Sequence, residues 1–122
     1  MYSAVKDVKA IKNYKIILVF EDKSVKLFDM NPYLEKGLFK ELRDENLFKS
    51  VAVSFDSIKW LNGVDIDPET LYENSIHCSY SYLKNLFNDS ETKEEQDFYM
   101  NLSNVLLQKR QSELINKDEL SY

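Results

Sequence analysis

The chain has 122 residues and a net charge of −5, with 43 % hydrophobic and 13 % aromatic residues. This length sets one domain as the default and supports a modest core without cross-links. The acidic balance disfavours direct nucleic-acid binding, which draws its affinity from counterion release by Lys and Arg. A single cysteine, Cys78, excludes an internal disulfide framework.

In chain order, "SAVKDVKAI" reads as a first strand of imperfect alternation, with Val5 and Ala10 on opposite parities. Lys6, Lys9, Lys12 and Lys15 recur every three residues. On a strand they divide between the two faces, so they read as a solvated surface. "YKIILVF" is apolar on both parities from Ile16 to Phe20, which predicts a central strand covered on both sides. A polar connector, "EDKS", leads into "VKLFDM" and makes a hairpin. Asn31-Pro32 ends that strand. Leu34, Leu38, Phe39 and Leu42 then follow at helical spacing with Gly37 inside, predicting a short helix or two linked turns. "ENLFKSVAVSF" returns to strand character through Phe48, Val51, Val53 and Phe55. "DS" is a tight turn, and "IKWL" is the expected last strand.

The densest stretch is "SIKWLNGVDIDPETLY", residues 57–72. Asn62-Gly63 supplies positive φ after the strand. Asp67-Pro68-Glu69 reads as a helix entry, with Asp67 as N-cap and Pro68 in the first turn. Leu71 and Tyr72 would anchor that turn on the sheet. Asp65 and Asp67, two residues apart, would share a face on a strand and suggest a divalent cation. Capping by Asp67 is the favoured reading, ahead of a polar recognition surface and of a metal site; the alternative use of Asp65 is as a hydrogen-bond acceptor in the Asn62-Gly63 turn. Trp60 is expected in the core or at its edge, with an interface anchor as the alternative. His77 and Cys78 are too few for a zinc site, and neighbours in sequence seldom form a nucleophile pair.

Beyond residue 76 the chain is helical in character. Tyr80, Leu83 and Phe87 mark one helical face with Tyr82 and Leu86 beside it, Asn88-Asp89-Ser90 a break, and Thr92 to Glu95 a capping box. Phe98, Leu102, Val105 and Leu106 form an apolar stripe on the next helix, extendable to Leu114 and Ile115. The last seven residues are expected to fray. Residues 88–122 carry 8 acidic against 4 basic side chains.

Three pieces together, "YKIILVFEDKSVKLFDMNPYL", "KGLFKELRDENLFKSVAV" and "IKWLNGVDIDPETLY", resemble the DUF2442 family of small prokaryotic domains over residues 1–76. The resemblance implies an α+β fold with a mainly antiparallel sheet, and it carries no catalytic residue. Members often have Gly after the acidic residue of the hairpin turn, where this chain has Lys23, so another turn geometry is expected. They often have Pro after Trp, where this chain has Leu61. Some relatives carry a helix-turn-helix behind the domain; residues 77–122 show none.

The expected organisation is therefore an α+β domain at 1–76 and a helical extension at 77–122, with a helical hairpin over 79–115 and a frayed end. No catalytic, metal or cofactor site is expected. The N-terminus lacks the apolar run of a signal peptide and no segment is long enough to span a membrane, which predicts a cytoplasmic protein. The expected role is a non-enzymatic interaction or regulatory module. Its extension would dock a protein partner or form a homodimer through Glu94, Glu95, Phe98, Leu102, Val105 and Leu106. Glu91 and Asp97 would add to the steering of a basic surface. The second expectation is an acidic inhibitor or regulator of nucleic-acid machinery in a toxin–antitoxin, phage or CRISPR setting; a small enzyme comes last.

Overall fold

The computed structural model describes residues 3–120, with side chains through Lys109. The chain divides into two compact units, Met1–His77 and Cys78–Tyr122.

In the first unit, β1 (Val5–Ile11), β2 (Lys15–Phe20), β3 (Val25–Asp29) and β7 (Ile76–His77) form a four-stranded sheet in that order. A three-stranded sheet joins β4 (Ala52–Ser54), β5 (Ser57–Lys59) and β6 (Asp65–Ile66). Every recorded pairing is antiparallel. As the sequence predicts, β2 is internal, and every side chain from Ile16 to Phe20 is buried. The irregular alternation of β1 has a cause. Val5 pairs with Phe20 and Asp7 with Val19, so a bulge at Lys6 flips the parity between Val5 and the rest of the strand.

The β2–β3 hairpin differs from expectation. Lys23 itself takes the left-handed backbone, φ 71, a conformation that glycine adopts without steric cost. Asp22 holds this turn by accepting from the backbone N–H of Ser24 at 2.9 Å and from its hydroxyl. The β1–β2 connection uses two left-handed residues, Asn13 (φ 62) and Tyr14 (φ 56). Tyr14 is tied down by its hydroxyl, which donates to the Arg43 carbonyl at 2.5 Å, and by an edge-on ring contact with Phe48 at 5.2 Å.

Residues 31–43 form two 3-10 segments, Asn31–Tyr33 and Gly37–Arg43, separated before Gly37 (φ 52). Two further expectations are corrected. "ENLF" is not strand but one helical turn, α1 (Glu45–Phe48), because Asp44 caps it by accepting from the Asn46 N–H at 2.9 Å. β5 is not the last strand, since the short β6 and β7 follow it. α2 (Pro68–Asn74) lies between those two. The core of this unit gathers Ile16, Leu18, Phe20, Phe28, Trp60 and Leu71, with others, from both sheets and α2.

The second unit is a helical hairpin of α3 (Tyr80–Asn88) and α4 (Lys93–Leu120). Ser79 caps α3 by accepting from the Tyr82 N–H at 3.1 Å. Thr92 accepts from the Glu95 N–H at 3.2 Å, as a capping box requires. The return bond of that box goes from the Glu91 N–H to Glu95 Oε2, at 3.3 Å. On α3 the buried residues are Leu83 and Leu86, whereas Tyr80 is exposed and Phe87 half-buried, so the inward face is turned from the expected one. The stripe's extension to Leu114 and Ile115, and the fraying of the chain end, lie outside the described side chains.

Candidate functional site

Residues 57–72 build a closed turn-and-cap structure. The Trp60 N–H donates to the Val64 carbonyl at 2.9 Å, and the Gly63 N–H donates to the Trp60 carbonyl at 3.0 Å. This tight reversal needs Gly63 at φ 90. Asn62 braces it from inside, its Oδ1 accepting from the Val64 N–H at 3.1 Å, while its Nδ2 reaches Glu41 Oε1 at 3.3 Å. The reversal sends the chain back as β6, placing Ile66 opposite Ile58 and Asp65 opposite Lys59. Asp65 is exposed and faces a cation across the strands. The side chain that accepts in the turn is Asn62, not Asp65: the Val64 N–H donates to its Oδ1.

Asp67 caps α2. Its Oδ1 accepts from the Glu69 N–H at 3.1 Å, and its Oδ2 accepts from the Thr70 N–H at 3.2 Å and the Thr70 hydroxyl at 2.5 Å. The Thr70 hydroxyl first, then the Glu69 and Thr70 backbone donors, outweigh an opposing desolvation and hold the Asp67 carboxyl below its ordinary value of 3.8. Both Asp67 oxygens are thus engaged by donors, and Asp65 stands in β6 opposite Lys59, whereas Asp67 lies outside the strands. Among the described residues no group of three or more His, Cys, Asp or Glu side chains is placed to hold a metal ion.

Trp60 is buried, and its indole N–H donates to the Phe48 carbonyl at 3.0 Å. Its ring stacks on Phe48 at 6.3 Å between centroids. This satisfies the one polar group that a buried Trp carries.

One polar cluster escaped the sequence reading. Lys26 is buried; its Nζ donates to the Tyr72 carbonyl at 3.0 Å and sits 3.7 Å from the Tyr72 ring centroid. Tyr72 packs edge-on against Phe20 at 4.9 Å and donates its hydroxyl to Asp22 Oδ2 at 2.8 Å. That bond, ahead of desolvation and the Asp22 charge, raises the phenol pKa. The cluster locks α2 to the β2–β3 hairpin across 50 residues of sequence. A period-two pattern places Lys26 on the inner face of β3, but a lysine in an amphipathic strand is ordinarily read as outward.

Cys78 is buried, and burial pushes its thiol up to about 11. A nucleophilic cysteine needs the opposite shift. His77 is exposed and lies in β7, opposite Lys26.

On α4, the predicted docking residues separate into different environments. Glu94 is exposed; Glu95, Phe98, Val105 and Leu106 are half-buried; Leu102 is only 4 % exposed. Tyr99, absent from the predicted set, is buried beside Leu102, with an edge-on contact to Phe98 at 5.6 Å. Burial first, then the charges of Glu95 and Tyr82, push its phenol up to about 12. Among the described residues of α4, the large apolar side chains open to solvent are Met100 (51 %) and Leu107 (39 %).

A family model described as "Protein of unknown function (DUF2442)" matches residues 5–77, and the chain belongs to this DUF2442 family. The match ends where the first compact unit ends, and it leaves the helical hairpin as an extension. Comparison with curated proteins and with solved structures gives no match. No helix among the described residues is long and apolar enough to cross a membrane.

Proposed function

We infer that the protein is a non-enzymatic interaction module, in which a DUF2442 domain carries a helical extension that docks a protein. The observation that supports this reading best is the two-sided character of α4. Tyr99 and Leu102 are buried, while Met100 and Leu107 on the same helix stand in solvent. A helix of an isolated globular unit ordinarily presents one apolar stripe and one polar face. Phe55 adds weight: it is 99 % exposed at the tip of the β4–β5 hairpin. Phe, like the other aromatic residues, is enriched at the core of protein–protein interfaces relative to the rest of the surface.

The test is affinity capture from the native cell with the full chain and with its Met100→Asp, Leu107→Asp and Phe55→Ala variants. Each substitution is at an exposed position, so each variant should keep the wild-type circular dichroism. A protein retained by wild type and lost by one of these variants would bear out the reading. Equal capture of every partner by all four chains would sink it.

The exposed carboxylates Glu91, just before α4, and Glu94 and Asp97, in its first turns, favour a second reading, an acidic regulator that occupies a basic surface. Capture lost on Asp97→Arg but kept on Met100→Asp would select it.

A further inference from the structure

We propose that Asn62-Gly63 is a self-modification site. The Gly63 nitrogen closes on the Asn62 side chain to give a succinimide, which water opens to aspartate or isoaspartate. The fold restrains this reaction through Glu41 and the Trp60 turn, and the product loosens that turn from the segment Gly37–Arg43.

The chemistry needs only this chain and water. The backbone nitrogen that follows an Asn attacks the side-chain carbon Cγ and forms a five-membered ring. The Cγ–Nδ2 bond breaks, and Nδ2 leaves as ammonia with the proton given up by the attacking nitrogen. Water then adds to one of the two ring carbonyls. Opening at the former side-chain carbonyl gives aspartate; opening at the former main-chain carbonyl gives isoaspartate. A side chain on the following residue crowds the attack, and glycine has none. Asn62 is the only Asn that Gly follows in this chain. Gly63 is exposed, and a β-carbon built there would meet nothing within 4 Å, so water has access to the site.

The folded turn restrains the reacting atoms at three points. The Gly63 N–H, whose proton has to leave, donates to the Trp60 carbonyl at 3.0 Å. Asn62 Oδ1 accepts from the Val64 N–H at 3.1 Å, and its Nδ2 donates to Glu41 Oε1 at 3.3 Å. Any rotation of the amide for attack is made against both bonds. Trp60 anchors the turn in its place, since it is buried with its indole N–H on the Phe48 carbonyl. Glu41 is the restraint that comes from outside the turn. It is exposed in the segment Gly37–Arg43, so it can be replaced without opening the core.

The reaction alters what the turn can hold. An aspartate at position 62 still accepts from the Val64 N–H but has no N–H to offer Glu41, and it sets a second carboxylate opposite the first. An isoaspartate adds a methylene to the main chain inside the turn that pairs Ile58 with Ile66 and Lys59 with Asp65. Both products give up the bond to Glu41, and neither reverts to the amide.

The test is peptide mapping by mass spectrometry, with isoaspartate detected by enzymatic methylation, on the full chain kept at mildly alkaline pH, folded and in urea. In urea, Asn62 should convert ahead of every other Asn. In the folded protein it should convert at least about tenfold more slowly, because attack waits on local opening of the turn. Glu41→Ala should raise the folded rate about threefold, for the loss of one exposed hydrogen bond, and leave the rate in urea unchanged. It should also leave the other Asn residues as they are, which a general loosening of the fold would not. Glu41→Gln keeps an acceptor and should stay nearer wild type. The converted fraction, separated by its added negative charge, should melt below the parent protein, as should Asn62→Asp. A folded rate equal to that in urea, a Glu41→Ala rate equal to wild type, another Asn converting first in urea, or a converted fraction as stable as the parent would each overturn the proposal.

Discussion

Phe55 gives the sharpest stability prediction. Ser54 and Ser57 pair across a two-residue loop, and Phe55 is the first residue inside it, at φ 55. Hairpins of this length commonly place Gly or Asn in such a position. A side chain with a β-carbon costs roughly 1–2 kcal/mol in the left-handed region, and Asn enters it more readily than Phe. The ring is 99 % exposed, so its removal forfeits no core packing. Phe55→Asn should therefore stabilise the first unit by about 1 kcal/mol, an increase of roughly 4–8 °C in Tm for a unit of this size. Phe55→Gly should gain less, because glycine's extra freedom in the unfolded chain offsets about 0.5–1 kcal/mol. Phe55→Ala keeps the β-carbon and loses only the ring, so it should stay within about 0.5 kcal/mol of wild type. Urea titrations followed by circular dichroism, with thermal melts beside them, rank the four proteins. A loss of more than about 1.5 kcal/mol in Phe55→Ala would mean the ring is packed. An Asn variant less stable than wild type would refute the strain argument.

Trp60→Phe should cost about 1–3 kcal/mol, because the Phe48 carbonyl loses its buried donor; since Trp60 is the only Trp, the measurement is by circular dichroism. Lys26→Met keeps the apolar stem but removes the donor to Tyr72 and the charge over its ring, and should cost about 1–2 kcal/mol in the same titration. Asp67 gives a pH signature. Its folded pKa lies below 3.8, so its stabilising effect is present above that value and fades as pH falls through the folded pKa. The stability gap between wild type and Asp67→Ala should therefore be flat near neutrality and close in acid; a gap that widens in acid would contradict the capping assignment.

Much of the first unit is legible in the sequence because its signals are local. Ile16 to Phe20 are apolar on both parities, Asn31-Pro32 is a strand stop, and Asp67-Pro68 is a cap followed by a helix entry. Each is settled by a few adjacent residues. The misses have physical causes too. α1 is four residues long, shorter than the period that would identify it, and the β formers Phe48 at its end and Val51 beyond it pull the reading toward strand. Strands of two residues, β6 and β7, exist only through their partners β5 and β3. Lys23, Tyr14 and Phe55 occupy left-handed backbone without the residue types that announce it. The contact of Lys26 with Tyr72 is tertiary, and no propensity at either position encodes it.

The α4 stripe shows a different limit. Spacing identifies Phe98, Leu102, Val105 and Leu106 as one apolar face, but periodicity does not say what covers that face. Burial resolves it: Leu102 is an interior residue, so a charge placed there tests the fold of its unit rather than a docking contact. The informative positions for docking are Met100 and Leu107, which the stripe leaves out because they fall on the other side of the helix. With apolar residues on opposite sides, the helix as a whole has little net amphipathicity, and the second seam emerges only after the first is known to be occupied. Variants at Met100 and Leu107 therefore separate binding from folding, whereas a variant at Leu102 confounds them.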